Sequence, residues 1–465
     1  MGNSNMASEA NAAELLEAYR VAIRRKSPKS LETWQKNRTV MPGGVGSRFR
    51  MSDPFPMVAK EASGARLWDV DGNEYLDCML AFSTMILGNA DPIVQEAVEK
   101  VLPRGSTYAL CHDREYEFAK LFCDMVPGAD QLAFVNSGTE ATLYATRLAR
   151  ATTRRSLIGK FEGGYHGTHD FLAVSIQKPR IDPAACGPIE DPVTVPDYPG
   201  MVEDAWKNTI VLPYNHPAAS DKIRRYGSQL AAVIVEPVQG GGGSIPAKRE
   251  FLQELRKVTE EVGALLIFDE VITGFRLARG GGQEFYGVIP DLCTFGKVSG
   301  GGMPIGAVAG KRDFLRLMEF DTNPTGTILV GGTFNGNPIT VAAGFATLKQ
   351  LNSNPGIYAR LNAMGDRYRK ELNEFAQKND FPAMAVGAGS IIWMHTVRGP
   401  VNSNRDLRGE NVNASVGLKL LYRLNNLHIS SYHGFLSAAH SDGDITRLIE
   451  IHKDAMWELR KHGIW

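Results

Sequence analysis

No excess of either charge marks this chain of 465 residues, because 51 Lys and Arg offset 51 Asp and Glu. That balance excludes the basic footprint that binding to nucleic acid or an anionic membrane would require. Apolar runs are short, none reaching the roughly 20 residues of a membrane span. The opening Met1-Gly2-Asn3-Ser4 carries Met6 where a myristoylation pattern has Ser or Thr, and no apolar signal segment follows. Cysteine is sparse. Cys78, Cys111, Cys123, Cys186 and Cys293 stand apart without a CxxC pair, which argues against a zinc site or a disulfide framework. There is no GxxxxGK[ST] loop, no GxGxxG fingerprint and no internal repeat. The expectation is a soluble cytoplasmic protein with reduced thiols, no export signal, no metal, and small molecules as partners.

What is present is an ordinary globular composition, 43% hydrophobic and 22% charged, on a chain longer than one core usually serves. Residues 10–25 read as an amphipathic helix through Leu15, Leu16, Tyr19 and Ile23, able to pack on a partner subunit. Residues 65–76 read as strand, turn on Asp71-Gly72, strand. From about residue 90 to 340, apolar runs alternate with helical patterns, the signature of βαβ units around a mostly parallel sheet. Residues 131–135, 230–235 and 264–268 are apolar enough for central strands. Ligands of such sheets bind beyond the carboxyl ends, so chemistry is expected after those three runs. The Pro-rich stretch 178–202 reads as a long loop and a candidate lid. Past residue 340 the chain turns helical, then strand-like over 387–396, and closes in a helix over about 442–461. The fold class is α/β: a large domain over 90–340 holds the mostly parallel sheet, and segments 1–89 and 341–465 build a smaller α/β domain.

Asn136-Ser137-Gly138-Thr139-Glu140 follows the first run and opens a helix through Leu143, Ala145 and Leu148. Free N–H groups, two hydroxyls and a glycine make a phosphate cup there, although Ser137 or Thr139 serves equally as an ordinary N-cap. Without a nucleotide motif, a smaller phosphate-bearing cofactor fits better. Asp269 ends the run Leu265-Leu266-Ile267-Phe268. A carboxylate buried there needs a cationic partner, either a protonated pyridine nitrogen or a structural salt bridge. Lys297, in Thr294-Phe295-Gly296-Lys297, lies between an apolar strand and Gly300-Gly301-Gly302. Burial would lower its pKa toward what imine chemistry requires, and the glycines leave room for a bulky group. In Phe161-Glu162-Gly163-Gly164-Tyr165-His166-Gly167, Tyr165 suits a flat heteroaromatic ring, with His166 beside it.

In this order the motifs resemble fold-type I pyridoxal-phosphate enzymes of the class III aminotransferase group, most nearly the glutamate-1-semialdehyde aminomutases and related β-amino-acid aminotransferases. The resemblance runs from Met41-Pro42-Gly43-Gly44-Val45 to Phe435-Leu436-Ser437-Ala438-Ala439-His440. It implies pyridoxal 5′-phosphate as cofactor, joined to Lys297 as a Schiff base, with Asp269 on the pyridine nitrogen. Tyr165 and Val271 would lie on the two ring faces, and Ser137, Gly138 and Thr139 would hold the phosphate. Glu236, in the family's Glu-Pro-Val motif, would support the ring environment. Gly332-Thr333 matches the stretch that reaches the phosphate of a neighbouring subunit's cofactor, which implies a homodimer with shared sites. Lys297, displaced by the substrate amine, would act as general base in ping-pong transamination between an amino acid and a keto acid.

Substrate residues depart from the nearest branches. Ser47 and Arg50 fall where the aminomutases bind a carboxylate, with Arg48 a rival for the role and a plain surface arginine the alternative for either. Phe82 stands where that branch has Trp, and Tyr432 where it has a late Glu. His433 takes the place of an arginine in the β-amino-acid aminotransferases, or is an ordinary loop histidine. Gln239-Gly240-Gly241-Gly242-Gly243 offers no acid for the switch of the ornithine and γ-aminobutyrate aminotransferases. The resulting expectation is an aminotransferase for an amino acid with one carboxylate, β-amino or aryl. A 2,1-aminomutase ranks second, and a racemase or epimerase behind both.

Overall fold

The computed structural model describes residues 2–177, 181–182, 184–321, 326–429 and 433–465, with side chains from Asn11 onward. Its centre is a seven-stranded sheet in the order Gln131–Val135, Gly306–Gly310, Leu292–Gly296, Leu265–Asp269, Leu230–Val235, Leu157–Phe161, Thr209–Leu212. Gly306–Gly310 pairs antiparallel with both neighbours, while the pairings from Leu292–Gly296 through to Thr209–Leu212 are parallel. The other six strands therefore share one direction, and their carboxyl ends open on one edge. Leu230–Val235, Leu265–Asp269 and Leu292–Gly296 are buried at every position, as strands covered on both faces must be.

Gln131–Val135 departs from expectation. It is an edge strand, with four of its five residues half-buried. Helix Glu115–Met125 shields it, and Phe118 stacks on Phe134 with centroids 5.2 Å apart. An apolar edge covered in this way reads in sequence like a central strand.

The helix beginning at Gly138 runs to Thr153, and Ser137 caps it by accepting the Glu140 N–H at 3.2 Å. This helix start approaches the sheet so closely that a Cβ on Gly306 would lie 2.1 Å from the Ser137 carbonyl oxygen. Gly306→Ala is therefore expected to displace residues 137–139, lowering Tm by roughly 2–6 °C and loosening the cofactor. Thermal melts and the absorbance left after dialysis check both effects.

The ends of the chain meet. Ala59–Ser63, Arg66–Asp69 and Glu74–Asp77 form an antiparallel ribbon with its turn at Asp71-Gly72, and Leu427–His428 adds to it in parallel. The segment expected as one strand over 387–396 is a hairpin, Met384–Val386 against Ile391–His395. Its turn contains Gly387 at φ 131 and Gly389 at φ 52, values that glycine reaches at little cost. The first helix, Gly2–Lys26, outruns the expected span, and a second, Pro28–Asn37, follows. Ala12, Leu16 and Ile23 are buried against this chain, where helix Val412–Leu424 covers them, so that stripe is not left for a partner subunit. The last helix, Asp442–Lys461, starts at a capping box of Ser441 and Asp444. On this layout we propose domain boundaries near residues 89 and 340.

The described part of the 178–202 loop is tied down. Arg405 donates to the Gly187 carbonyl at 2.8 Å while forming a buried fork on Glu162, and Lys222 donates to the Pro192 carbonyl at 2.6 Å. A lid movement would have to break those bonds. Residues 178–180 and 183 lie outside the described residues.

Candidate active site

The carboxyl ends of the strands bring the chemistry-bearing residues together. Asp269, 3% exposed, closes its strand. Its Oδ2 accepts from His166 Nδ1 at 2.7 Å; its Oδ1 accepts from the Val271 N–H at 3.1 Å and Thr294 Oγ1 at 3.2 Å. Thr294 is the register partner of Asp269 on the adjacent strand. A carboxylate acceptor assigns the His166 proton to Nδ1. Burial pulls the His166 pKa down against the pull of Asp269, and Nε2 has no hydrogen-bond partner. His166, next to Tyr165 in the chain, therefore braces the Asp269 carboxylate.

Lys297 follows Gly296 with φ 48. The residue as a whole is half-buried and its amine end is deepest. Burial lowers its pKa, Asp269 and Glu236 oppose that shift, and Arg276 adds to it. Glu236, 5% exposed, accepts the Tyr165 N–H at 2.8 Å and the Gly240 N–H at 3.0 Å. Burial and the charge of Asp269 push its pKa up. On the other side of the same loop Lys160, wholly buried, donates to the Gly164 carbonyl at 2.7 Å and the Val174 carbonyl at 2.5 Å. Tyr165 is thus gripped through its backbone from two sides.

The helix start forms the opposite wall. Gly138 lies against Val271: a Cβ there would sit 3.0 Å from both Val271 methyls. Thr139 packs on Gly167. Among the described residues none accepts the N–H of Gly138 or Thr139. Two unclaimed donors at a helix N-terminus suit a phosphate, and a buried amine and a braced carboxylate stand nearby, so the donor set fits pyridoxal phosphate.

An aromatic wall leads outward. Phe49 meets Tyr165 edge-on at 5.6 Å and Phe82 at 6.4 Å; Phe82 lies 6.1 Å from His433, and His433 lies 5.0 Å from Phe435. His433 is 9% exposed and neither ring nitrogen is hydrogen-bonded. Burial, then the charge of Lys297, hold its pKa down to about 3, so its imidazole is uncharged. Ser47 is half-buried at the rim, with Arg48 and Arg50 exposed beside it. Arg48 faces Tyr198, and Arg50 folds back along Gly46. Gly332 and Thr333 are exposed, while Asn335 ties their loop to the cup by accepting from Asn136 Nδ2 at 2.8 Å. Tyr432 lies outside the described residues.

Four residues escaped the sequence reading: Phe49, Thr294 as a ligand of Asp269, Lys160 and Arg276. Two carried a signal. Lys160 interrupts an apolar strand, and Arg276 stands between Phe275 and Leu277 just after the Asp269 loop.

Fold and site define a pyridoxal-phosphate enzyme of fold type I. The chain belongs to the class-III aminotransferases, whose family model matches residues 49–431. A glutamate-1-semialdehyde 2,1-aminomutase of Methanobrevibacter smithii is 41% identical over 427 residues, which cover 90% of this chain and 96% of that protein. Among solved structures, an omega-transaminase from Sphaerobacter thermophilus is 33% identical, with a TM-score of 0.86 over 93% of this chain and 98% of that one. A beta-phenylalanine aminotransferase from Variovorax paradoxus is 32% identical, with a TM-score of 0.86 over 97% of this chain and 98% of that one.

Proposed function

We propose that the protein moves an amino group between an amino acid with one carboxylate, of β-amino or aryl type, and a keto acid. The aromatic wall from Tyr165 through Phe49 and Phe82 to the uncharged His433 carries this reading. Such a wall receives a ring or an apolar chain, and an uncharged imidazole offers no ion pair to a second carboxylate. One carboxylate is left to Ser47 with Arg50 or Arg48 at the rim.

Bound pyridoxal phosphate supplies the sink for electrons released at the substrate carbon. Ser137, Gly138 and Thr139 would hold its phosphate, and Tyr165 and Val271 would flank its ring. Asp269, braced by His166 and Thr294, would pair with its pyridine nitrogen and favour the protonated form. Lys297, with its lowered pKa, would hold the cofactor and take and return the proton at the substrate carbon. The exposed Gly332-Thr333 serves the phosphate site of a second copy, so the working unit is a homodimer, acting in the cytoplasm on amino and keto acids.

A 2,1-aminomutase is the second reading, and overall sequence identity favours it over the first. A single carboxylate site suits its substrate equally well; Phe82 in place of Trp and Tyr432 in place of Glu weigh against it. Spectra of the purified protein with single amines and no keto acid decide between them. A β-aryl amino acid that converts a band near roughly 410–430 nm into one near about 330 nm supports transfer. Isomerisation of glutamate-1-semialdehyde alone, at a rate above that for any such amine, would overturn the first reading in favour of the second. A cofactor band that no amine converts, together with no isomerisation of glutamate-1-semialdehyde, would sink both and leave racemisation.

A further inference from the structure

Arg276 leads the fully buried side chains by size. Its guanidinium bonds are all to uncharged groups: Nε to Ser83 Oγ at 2.7 Å, Nη2 to the Ser83 carbonyl at 2.7 Å, Nη1 to Ser390 Oγ at 3.1 Å and to the Leu436 carbonyl at 2.9 Å. The group also lies over the Phe435 ring, 5.1 Å from its centroid. Among the described residues no carboxylate pairs with it, and burial pulls its pKa down to about 9. A buried cation without an anion is costly and calls for a reason.

Those bonds join two walls of the pocket. Ser83 ends a left-handed run, Leu80, Ala81, Phe82 and Ser83 at φ 48, 49, 59 and 85, which presents Phe82. The run starts where Asp77 Oδ1 accepts the N–H groups of Met79 and Leu80, each at 3.0 Å. Consecutive left-handed residues other than glycine are strained and persist only where their surroundings hold them. Phe435 and Leu436 follow His433 on the facing wall. One side chain thus fastens the Phe82 turn to the segment that carries His433.

We propose that Arg276 is a positioning residue that fixes Phe82 and His433 at their mutual spacing and, through its unneutralised charge, offsets part of the negative charge around Lys297. The charged and titratable groups facing Lys297 are Asp269 at one strand end, Glu236 at the next, Arg276 on the loop after Asp269, and His433 from the C-terminal segment. The two carboxylates favour a proton on Lys297, His433 is uncharged, and Arg276 is the group that opposes them. The inference rests on Lys297 carrying the cofactor.

The test is a pH titration of the visible cofactor band of the holoenzyme, with steady-state kinetics alongside. Arg276→Gln removes a like charge, so the titration midpoint is expected to rise by about half a pH unit or more. Arg276→Lys keeps a cation without the fork, and Ser83→Ala removes one acceptor. In both the midpoint stays near that of the unaltered protein, while KM for the amine rises several-fold with a smaller change in kcat and an altered visible circular dichroism. An unmoved midpoint in folded Arg276→Gln overturns the electrostatic role. Unchanged KM and dichroism in both other variants overturn the positioning role, and these two variants decide the proposal if Arg276→Gln does not fold. An unaltered protein with no visible band would instead remove Lys297 as cofactor carrier, a separate failure.

Discussion

Lys297→Ala is expected to leave a folded protein that turns over at least about 10³-fold more slowly and has lost the band near roughly 410–430 nm. Two tasks end together, the covalent hold on the cofactor and the proton transfer at the substrate carbon. Stability should change little, because Asp269 is already held by His166, Thr294 and the Val271 N–H without help from the amine. Tm close to that of the unaltered protein therefore separates lost chemistry from lost fold. The pH sign follows from the lowered pKa of Lys297. Its amine is neutral at a lower pH than a solvated lysine, so cofactor capture by the apoprotein should level off below the range of an ordinary lysine as pH rises. It should slow as pH falls through the lowered value. Lys297→Arg, which keeps a charge but cannot form the imine, should be as inactive as the alanine variant. A retained visible band in Lys297→Ala would sink the assignment.

The cofactor half of this site was legible in the sequence because each group sits at an abrupt change of pattern. Asp269 ends an apolar run, Ser137 to Thr139 open a helix after one, and Lys297 separates one from a glycine run. Tertiary context decided the rest. That Gln131–Val135 lies at the edge is set by its one pairing, with Gly306–Gly310 far along the chain, while helix Glu115–Met125 shields it. That the His166 side chain reaches Asp269 is a rotamer choice. Arg276 belongs to a residue type almost never wholly buried, and four acceptors from three separate segments are needed to hide it. Substrate choice was the least legible part. Overall identity places a 2,1-aminomutase nearby, yet identity weights every position equally, whereas specificity rests on a few side chains such as Phe82 and His433.

Asp269→Asn should cut the rate by about 10²–10⁴-fold while leaving the cofactor bound. An asparagine side chain keeps one oxygen, which can still accept from the Val271 N–H and Thr294 Oγ1. Its amide nitrogen then faces His166 Nδ1, donor against donor, where a carboxylate oxygen now accepts at 2.7 Å. His166 must move its proton to Nε2, which has no partner in the buried site, at a cost of about 1–3 kcal/mol. The pyridine nitrogen meanwhile loses its anion and is protonated only at lower pH. Residual activity in Asp269→Asn should therefore rise as pH falls from neutrality, opposite to the effect of acid on Lys297. Asp269→Glu keeps the charge but drives a longer side chain into His166, and should fall between the two. Single-turnover rates across pH distinguish these cases. If Asp269→Asn reacts at the unaltered rate at neutral pH, the carboxylate is no partner of the ring, and its bond to His166 is structural.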